Sequence, residues 1–207
     1  MTTRFHLPLL AGLAALLAAA PLHASTLGYN STGGFADSND GVNFGIQFTA
    51  NQPLQLDALG VYDNDGDGLS VARKVDLWRV SDQALVASIT VGAGLAGTLN
   101  GGFRFAAITP VLLTAGSQYR VSVVYPVGQG SGDKMNFASA STLGPEVTLT
   151  SGAFYTFSST SSYPTNSEGI WRSTGNFTFT AVPEPATALL LAGSGLGLLL
   201  RRRRTQG

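Results

Sequence analysis

The stretch Gln118-Tyr119-Arg120-Val121-Ser122-Val123-Val124-Tyr125 alternates large apolar residues with polar or smaller ones, and this period of two decides the fold class. In an extended chain Tyr119, Val121, Val123 and Tyr125 fall on one face, with Gln118, Arg120, Ser122 and Val124 on the other. The first face is predicted to be buried and the second solvated or partly covered. The same period recurs elsewhere. Phe44, Ile46 and Phe48 alternate with Asn43, Gly45, Gln47 and Thr49; Leu85, Ala87, Ile89 and Val91 alternate with Val86, Ser88 and Thr90. Residues 54–62, 74–80, 103–106, 110–114 and 176–181 are further candidate strands. Gly, Asn, Asp and Ser separate these segments, and the body carries no sustained helical periodicity. The expectation is an all-β body folded as a two-sheet β-sandwich of jelly-roll or immunoglobulin-like type, with strand order left open.

Both ends carry transport features. Arg4 precedes an apolar run over residues 7–20, and Ala24-Ser25 supplies a small residue at a cleavage point, the layout of a secretory signal peptide. At the other end Val182-Pro183-Glu184-Pro185 is followed by an apolar run over residues 186–200 and by Arg201, Arg202, Arg203 and Arg204. The prolines lack amide hydrogens and hold their predecessors extended, so a helix is predicted to begin only after Pro185. At 1.5 Å per residue that run spans roughly 22 Å, short of a full hydrocarbon core. The arginine cluster resists transfer across a bilayer, which leaves the tail inside and everything before Pro183 outside.

This order of Pro-Glu-Pro, short apolar helix and basic tail resembles the PEP-CTERM sorting signal of Gram-negative bacteria. The resemblance implies recognition by an exosortase in the inner membrane and cleavage near residues 182–185. It also implies delivery to the cell surface or an extracellular matrix. An uncut C-terminal anchor is the alternative with the same composition. The expected organisation is a signal peptide over 1–24, a secreted domain over 25–181 and a sorting signal over 182–207.

Removal of both ends changes the charge balance. The whole chain has twelve basic and twelve acidic residues. Arg4 and the terminal arginines leave with the signals, so seven basic residues remain in the body against eleven acidic ones. No basic patch for nucleic acid survives. Cysteine is absent, so neither disulfides nor thiolate metal ligands contribute.

Part of the body resembles a bacterial secreted β-sandwich domain of unknown function that occurs beside PEP-CTERM signals. The matching text is Ala58-Leu59-Gly60-Val61-Tyr62-Asp63, Asp67-Gly68-Leu69, Val75-Asp76-Leu77-Trp78, Leu85-Val86-Ala87-Ser88, Gly102-Phe103-Arg104-Phe105, and Leu113-Thr114-Ala115-Gly116 leading to Tyr119-Arg120-Val121. The resemblance implies the fold and an extracellular setting, and it brings no catalytic residues with it.

Asp63-Asn64-Asp65-Gly66-Asp67-Gly68 is the constellation with chemistry in it. Carboxylates at alternate positions followed by glycine reproduce the first half of an EF-hand loop, while Lys74 stands where the bidentate glutamate belongs. A calcium ion would use Asp63, Asp65, Asp67 and the Leu69 carbonyl, with Asp76, Asp82 or water completing the shell. The competing reading is a polar hairpin turn whose Asn, Asp and Gly supply left-handed conformations.

Catalysis is narrowly bounded. His6 and His23 both precede the expected cut, so the secreted domain would hold neither histidine nor cysteine for a nucleophile system or a zinc site. Glu146 and Glu168 are the remaining glutamate pair and read as exposed turns. Aromatic residues offer a different use. Trp78, Trp171, Tyr155 and Tyr163 are candidates for stacking on sugar rings, with Trp171 and Tyr163 favoured because Trp78 lies in a strand. The expectation is a non-enzymatic surface or matrix protein, structural or adhesive in exopolysaccharide or biofilm. Its alternative is a carbohydrate-binding module.

Overall fold

A computed structural model describes residues 24–37, 40–63, 65–128 and 135–182. The expected signal helix and hydrophobic sorting helix lie outside these residues. Among the described residues every regular element is a strand, and no helix is long and apolar enough to cross a membrane. In chain order the strands are β1 (Thr26–Leu27), β2 (Asn30–Asp37), β3 (Val42–Ala50), β4 (Leu54–Tyr62), β5 (Arg73–Arg79), β6 (Leu85–Val91) and β7 (Thr98–Asn100). They continue with β8 (Phe103–Leu113), β9 (Gln118–Tyr125), β10 (Met135–Ser141), β11 (Val147–Phe157), β12 (Asn166–Glu168) and β13 (Gly175–Ala181).

Two antiparallel sheets face one another. One has the order β1-β13-β4-β8-β7 and the other β12-β11-β3-β9-β5-β6, while β10 and β2 form a separate two-stranded ribbon. The expected all-β sandwich is therefore present. Its core is built from the period-two faces that the sequence displays: Phe44, Ile46 and Phe48 of β3, and Tyr119, Val121, Val123 and Tyr125 of β9, are all buried. The sheets meet where Phe48 of β3 stacks on Phe177 of β13, with ring centroids 4.2 Å apart. Tyr29 anchors a second point. Its hydroxyl donates to the Gly175 carbonyl at 2.6 Å, and burial pushes the phenol above its ordinary pKa.

Of the two states expected for the second face of β9, solvated or partly covered, the structure shows the covered one, and the cover is nearly complete. Arg120, Ser122 and Val124 are buried along with their apolar neighbours, as are Asn43, Gln47 and Asp76 on the same side of the sheet. The cause is the connection between β11 and β12, which crosses this face. Asn43 Nδ2 donates to the carbonyls of Ser158 and Thr160, Arg120 donates to the carbonyl of Pro164, and Tyr163 meets Trp78 edge-on. Polar side chains tolerate this cover because most of their groups find partners there, although Asn43 Oδ1 and Asp76 Oδ2 accept no hydrogen bond. Arg120 Nε donates to Gln47 Oε1 at 2.8 Å, and Trp78 Nε1 donates to Ser122 Oγ at 3.0 Å. A strap of polar sequence has no apolar periodicity to betray it.

Other segments are corrected. Residues 103–106 and 110–114 are one strand, β8, whose register against β4 shifts between Leu56 and Ala58. Pro110 is compatible with it because β7 pairs only with Phe103, Arg104 and Phe105, which leaves the later edge of β8 without a ladder partner that needs an amide. Residues 26–37, outside the expected strands, form β1 and β2, and residues 147–157, in a part of the sequence rich in serine and threonine, form β11 in the interior of a sheet.

Truncation of Phe177 to alanine should cost about 3–5 kcal/mol, because the ring fills the space between the sheets with no means of collapse. Chemical denaturation of the secreted domain would read this as a lowered midpoint at an unchanged slope.

Candidate functional site

The acidic loop leaves the end of β4. The Tyr62 amide donates to the Thr174 carbonyl at 2.8 Å and the Asp63 amide to the Gly102 carbonyl at 3.0 Å, so the chain is held in the sheet up to the first carboxylate. The β4–β8 register sets Arg104 opposite Val61, within reach of the loop. Arg104 Nε donates to Asp63 Oδ2 at 2.6 Å, and its Nη2 donates to the Gly66 carbonyl at 2.8 Å. Both partners of the ion pair are almost fully buried, at 5% and 2% side-chain exposure. Gly66 and Gly68 adopt φ values of +78° and +113°, which supply the left-handed turn. A Cβ on Gly68 would come within 2.6 Å of the Gly94 backbone. That close approach lets Leu69 and Gly94 exchange two backbone hydrogen bonds of 3.0 and 2.7 Å.

Asp63, Asp65 and Asp67 each bring a carboxylate oxygen within 4.8 Å of the others, with Asp65 and Asp67 exposed. A hydrogen bond with Asp65, reinforced by its charge, raises the Asp67 pKa above the usual carboxylate value. The remaining expected ligands are placed otherwise. The Leu69 carbonyl already accepts from the Gly94 amide. Asp76 is fully buried in the opposite sheet, where Ser88 Oγ donates to it at 2.6 Å. Asp82 pairs with Arg79 at 2.7 Å beyond the far end of β5. Part of the neutralisation that three carboxylates require comes from Arg104, which sequence reasoning missed. The available signal was a lone cation in the buried alternation Phe103-Arg104-Phe105.

The aromatic candidates are not brought together as a flat platform. Tyr163 lies edge-on to Trp78 and beneath the Arg120 guanidinium, 4.8 Å from its ring centre. Trp171 is partly buried and packs against the core. Tyr155 is tied to Phe44 and Phe157. Among the described residues Phe157, at 78% exposure, is the aromatic ring most open to solvent, and it was not singled out by sequence. Glu168 is not a free turn residue. It ends β12 and forms a close ion pair with Arg172.

At the C-terminal junction Val182 is the member of the sorting motif within the described residues; Pro183, Glu184, Pro185 and Arg201 to Arg204 lie outside them. The Val182 amide donates to the Pro53 carbonyl at 3.0 Å, directly after Ala181 pairs with Leu54. The sandwich thus runs without a spacer into the segment that opens the sorting signal.

Two family profiles match on either side of this junction. Residues 30–179 match the family described as Domain of unknown function (DUF4082). The chain belongs to the DUF4082 family. Residues 181–204 match the PEP-CTERM protein-sorting motif, which implies a protein exported in a Gram-negative bacterium and processed by an exosortase at the membrane. No curated protein matches. Among solved structures the chain is similar to the infectious bursal disease virus Gx strain structure, at 16% identity and TM-score 0.21, over 89% of this chain and 47% of that one. It is also similar to the VP2 subviral particle of that virus, at 15% identity and TM-score 0.23, over 87% of this chain and 46% of that one. The DUF4082 protein thus spans about half the length of these viral chains, and at such scores the likeness carries no argument.

Replacing Arg104 by methionine should destabilise the domain by about 3–5 kcal/mol, since it strands a buried carboxylate. The double variant Arg104→Met, Asp63→Leu should recover most of that loss in urea denaturation, because both charges are then gone.

Proposed function

We propose that this DUF4082 protein acts outside the cell as a non-enzymatic structural or adhesive component of the surface or exopolysaccharide matrix. The observation that carries this reading is the commitment of four carboxylates, among them the glutamate Glu168, to structural bonds, while Asp65 and Asp67 stay exposed at the loop. Asp63 is held by Arg104, Glu168 by Arg172, Asp82 by Arg79 and Asp76 by Ser88. A general acid or base needs a carboxyl group with access to substrate, and these are spent on the fold. The sorting motif supports an extracellular role.

The direction of the strands supports presentation of one end. Val182 leaves the sheet beside Leu54, whereas the acidic loop leaves β4 at its other end, roughly 25 Å away along the strand. While the tail is held in a membrane, the loop therefore points outward. Leu95 and Leu99, at 69% and 46% exposure, belong to the same tip: Arg104 reaches the Leu95 carbonyl and Leu99 adjoins Gly66. Contact with exopolysaccharide as a carbohydrate-binding module is the alternative, and Phe157 is then a better stacking residue than Trp171 or Tyr163.

A weak calcium site at Asp63, Asp65 and Asp67 is a second reading, favoured by their oxygens lying within 4.8 Å of one another. Arg104 already satisfies one carboxylate, so the expected affinity is that of an extracellular module, about 0.1–1 mM.

Fractionation tests the main reading: the protein trimmed near Val182 should be recovered from the extracellular matrix, and its deletion should weaken cell aggregation. Equal aggregation with and without the gene would refute the adhesive role. For calcium, Asp67→Asn provides the control. Because the folded-state pKa of Asp67 is raised, its ionised form opposes folding above that pKa, and the penalty disappears as pH falls below the unfolded value. In a chelator the variant should therefore melt higher than wild type at neutral pH and equally in acid. Millimolar calcium should raise the melting temperature of wild type only, and an absent shift there would end the calcium reading.

A further inference from the structure

Asp57 joins the two ends of the domain. It sits at the register shift of β4, where Leu56 pairs with Phe179 and Ala58 with Thr178. Ser25 Oγ donates to Asp57 Oδ2 at 2.5 Å, and Thr178 Oγ1 donates to Asp57 Oδ1. One carboxylate thereby holds the residue that follows the expected signal-peptide cut and the strand that precedes the sorting motif. β1 adds to the closure by pairing Thr26 with Phe179 and Leu27 with Thr178. Beyond Phe179, the ladder of Thr180 and Ala181 is with Gln55 and Leu54 of β4, and it continues into the Val182 to Pro53 hydrogen bond.

Enzymes that cut or transfer peptide chains take the substrate as an extended segment whose backbone groups are free to bond to the enzyme. Here Thr180 and Ala181 pair with Gln55 and Leu54 of β4, and the Val182 amide bonds to Pro53, so one side of the backbone is committed to β4 up to the residue before Pro183. We propose that the Asp57 clip and the Pro53–Leu54 edge of β4 set the access of the exosortase to this chain. The enzyme reaches its target after the 180–182 end of β13 has opened from β4. Asp57 is a positioning residue in this scheme, acting through β13 and touching neither enzyme nor scissile bond. The opening is local, since β1 does not extend over Thr180 and Ala181 and only the β4 side must be released. The clip also orders events: the sorting signal is presented at the edge of a finished sandwich, and a chain whose sheet has not closed presents it differently.

The test follows conversion of the full-length precursor by pulse-chase in a host that carries the sorting enzyme. Insertion of Gly-Ser-Gly-Ser between Val182 and Pro183 leaves every residue of the domain in place and should speed conversion by about fivefold, the shift expected when one hydrogen-bonded closure no longer limits access. Asp57→Ala alone should also speed conversion, and in the inserted background it should add nothing. Unchanged or slower conversion of the insertion variant overturns the proposal. So does an Asp57→Ala effect of equal size in both backgrounds, which would mark general destabilisation. The same variants in a host without the enzyme should stay uncut. Conversion there would show that another protease makes the cut, and the proposal would fall.

Discussion

Closure of the sandwich depends on its last strand. β13 lies between β1 and β4, and its Phe177 stacks on Phe48 of the facing sheet. Until Gly175–Ala181 has been inserted, β1 has no partner and the space against Phe48 is open. The chain has no cysteine to hold an unfinished sheet together. Its stability must therefore come from non-local pairing and burial, the slowest contacts for a chain to make. For an exported protein this means that folding is completed only after nearly the whole domain has crossed the membrane.

The outer face of the six-stranded sheet follows a different logic from the core. Burial of Asn43, Gln47, Asp76, Arg120 and Ser122 would be costly if they were bare, at about 1–3 kcal/mol for each unsatisfied group. The strap between β11 and β12 offsets much of that cost by offering backbone carbonyls to Asn43 and Arg120. Arg120 also lies 3.7 Å from the Phe154 ring centre, so one side chain joins three strands and the strap. A polar layer of this kind fixes the strap in one place more firmly than an apolar surface, which accepts many arrangements.

Legibility differed between these layers. The alternation in residues 118–125 was enough to place Tyr119, Val121, Val123 and Tyr125 in the core, because a period of two has one structural meaning when one face is large and apolar. The burial of Arg120 and Ser122 was not legible. It depends on a strap more than thirty residues downstream whose serines and threonines resemble any solvated loop. The acidic loop was recognised from its spacing, but its partner was not, since Arg104 lies 41 residues away and reaches Asp63 only through the β4–β8 register. The same reason hid Asp57, whose two partners belong to opposite ends of the chain.

Pro110 has a consequence for how copies of this chain meet at high local concentration. It stands on the part of β8 that β7 leaves uncovered, close to the exposed Leu112. An uncovered apolar edge invites strands from neighbouring molecules to extend the sheet, the first step of aggregation. A residue without an amide hydrogen interrupts the row of donors that such a neighbour would need. Crowded copies can then meet through their side chains while their backbones stay separate, so a dense layer need not become a fibril.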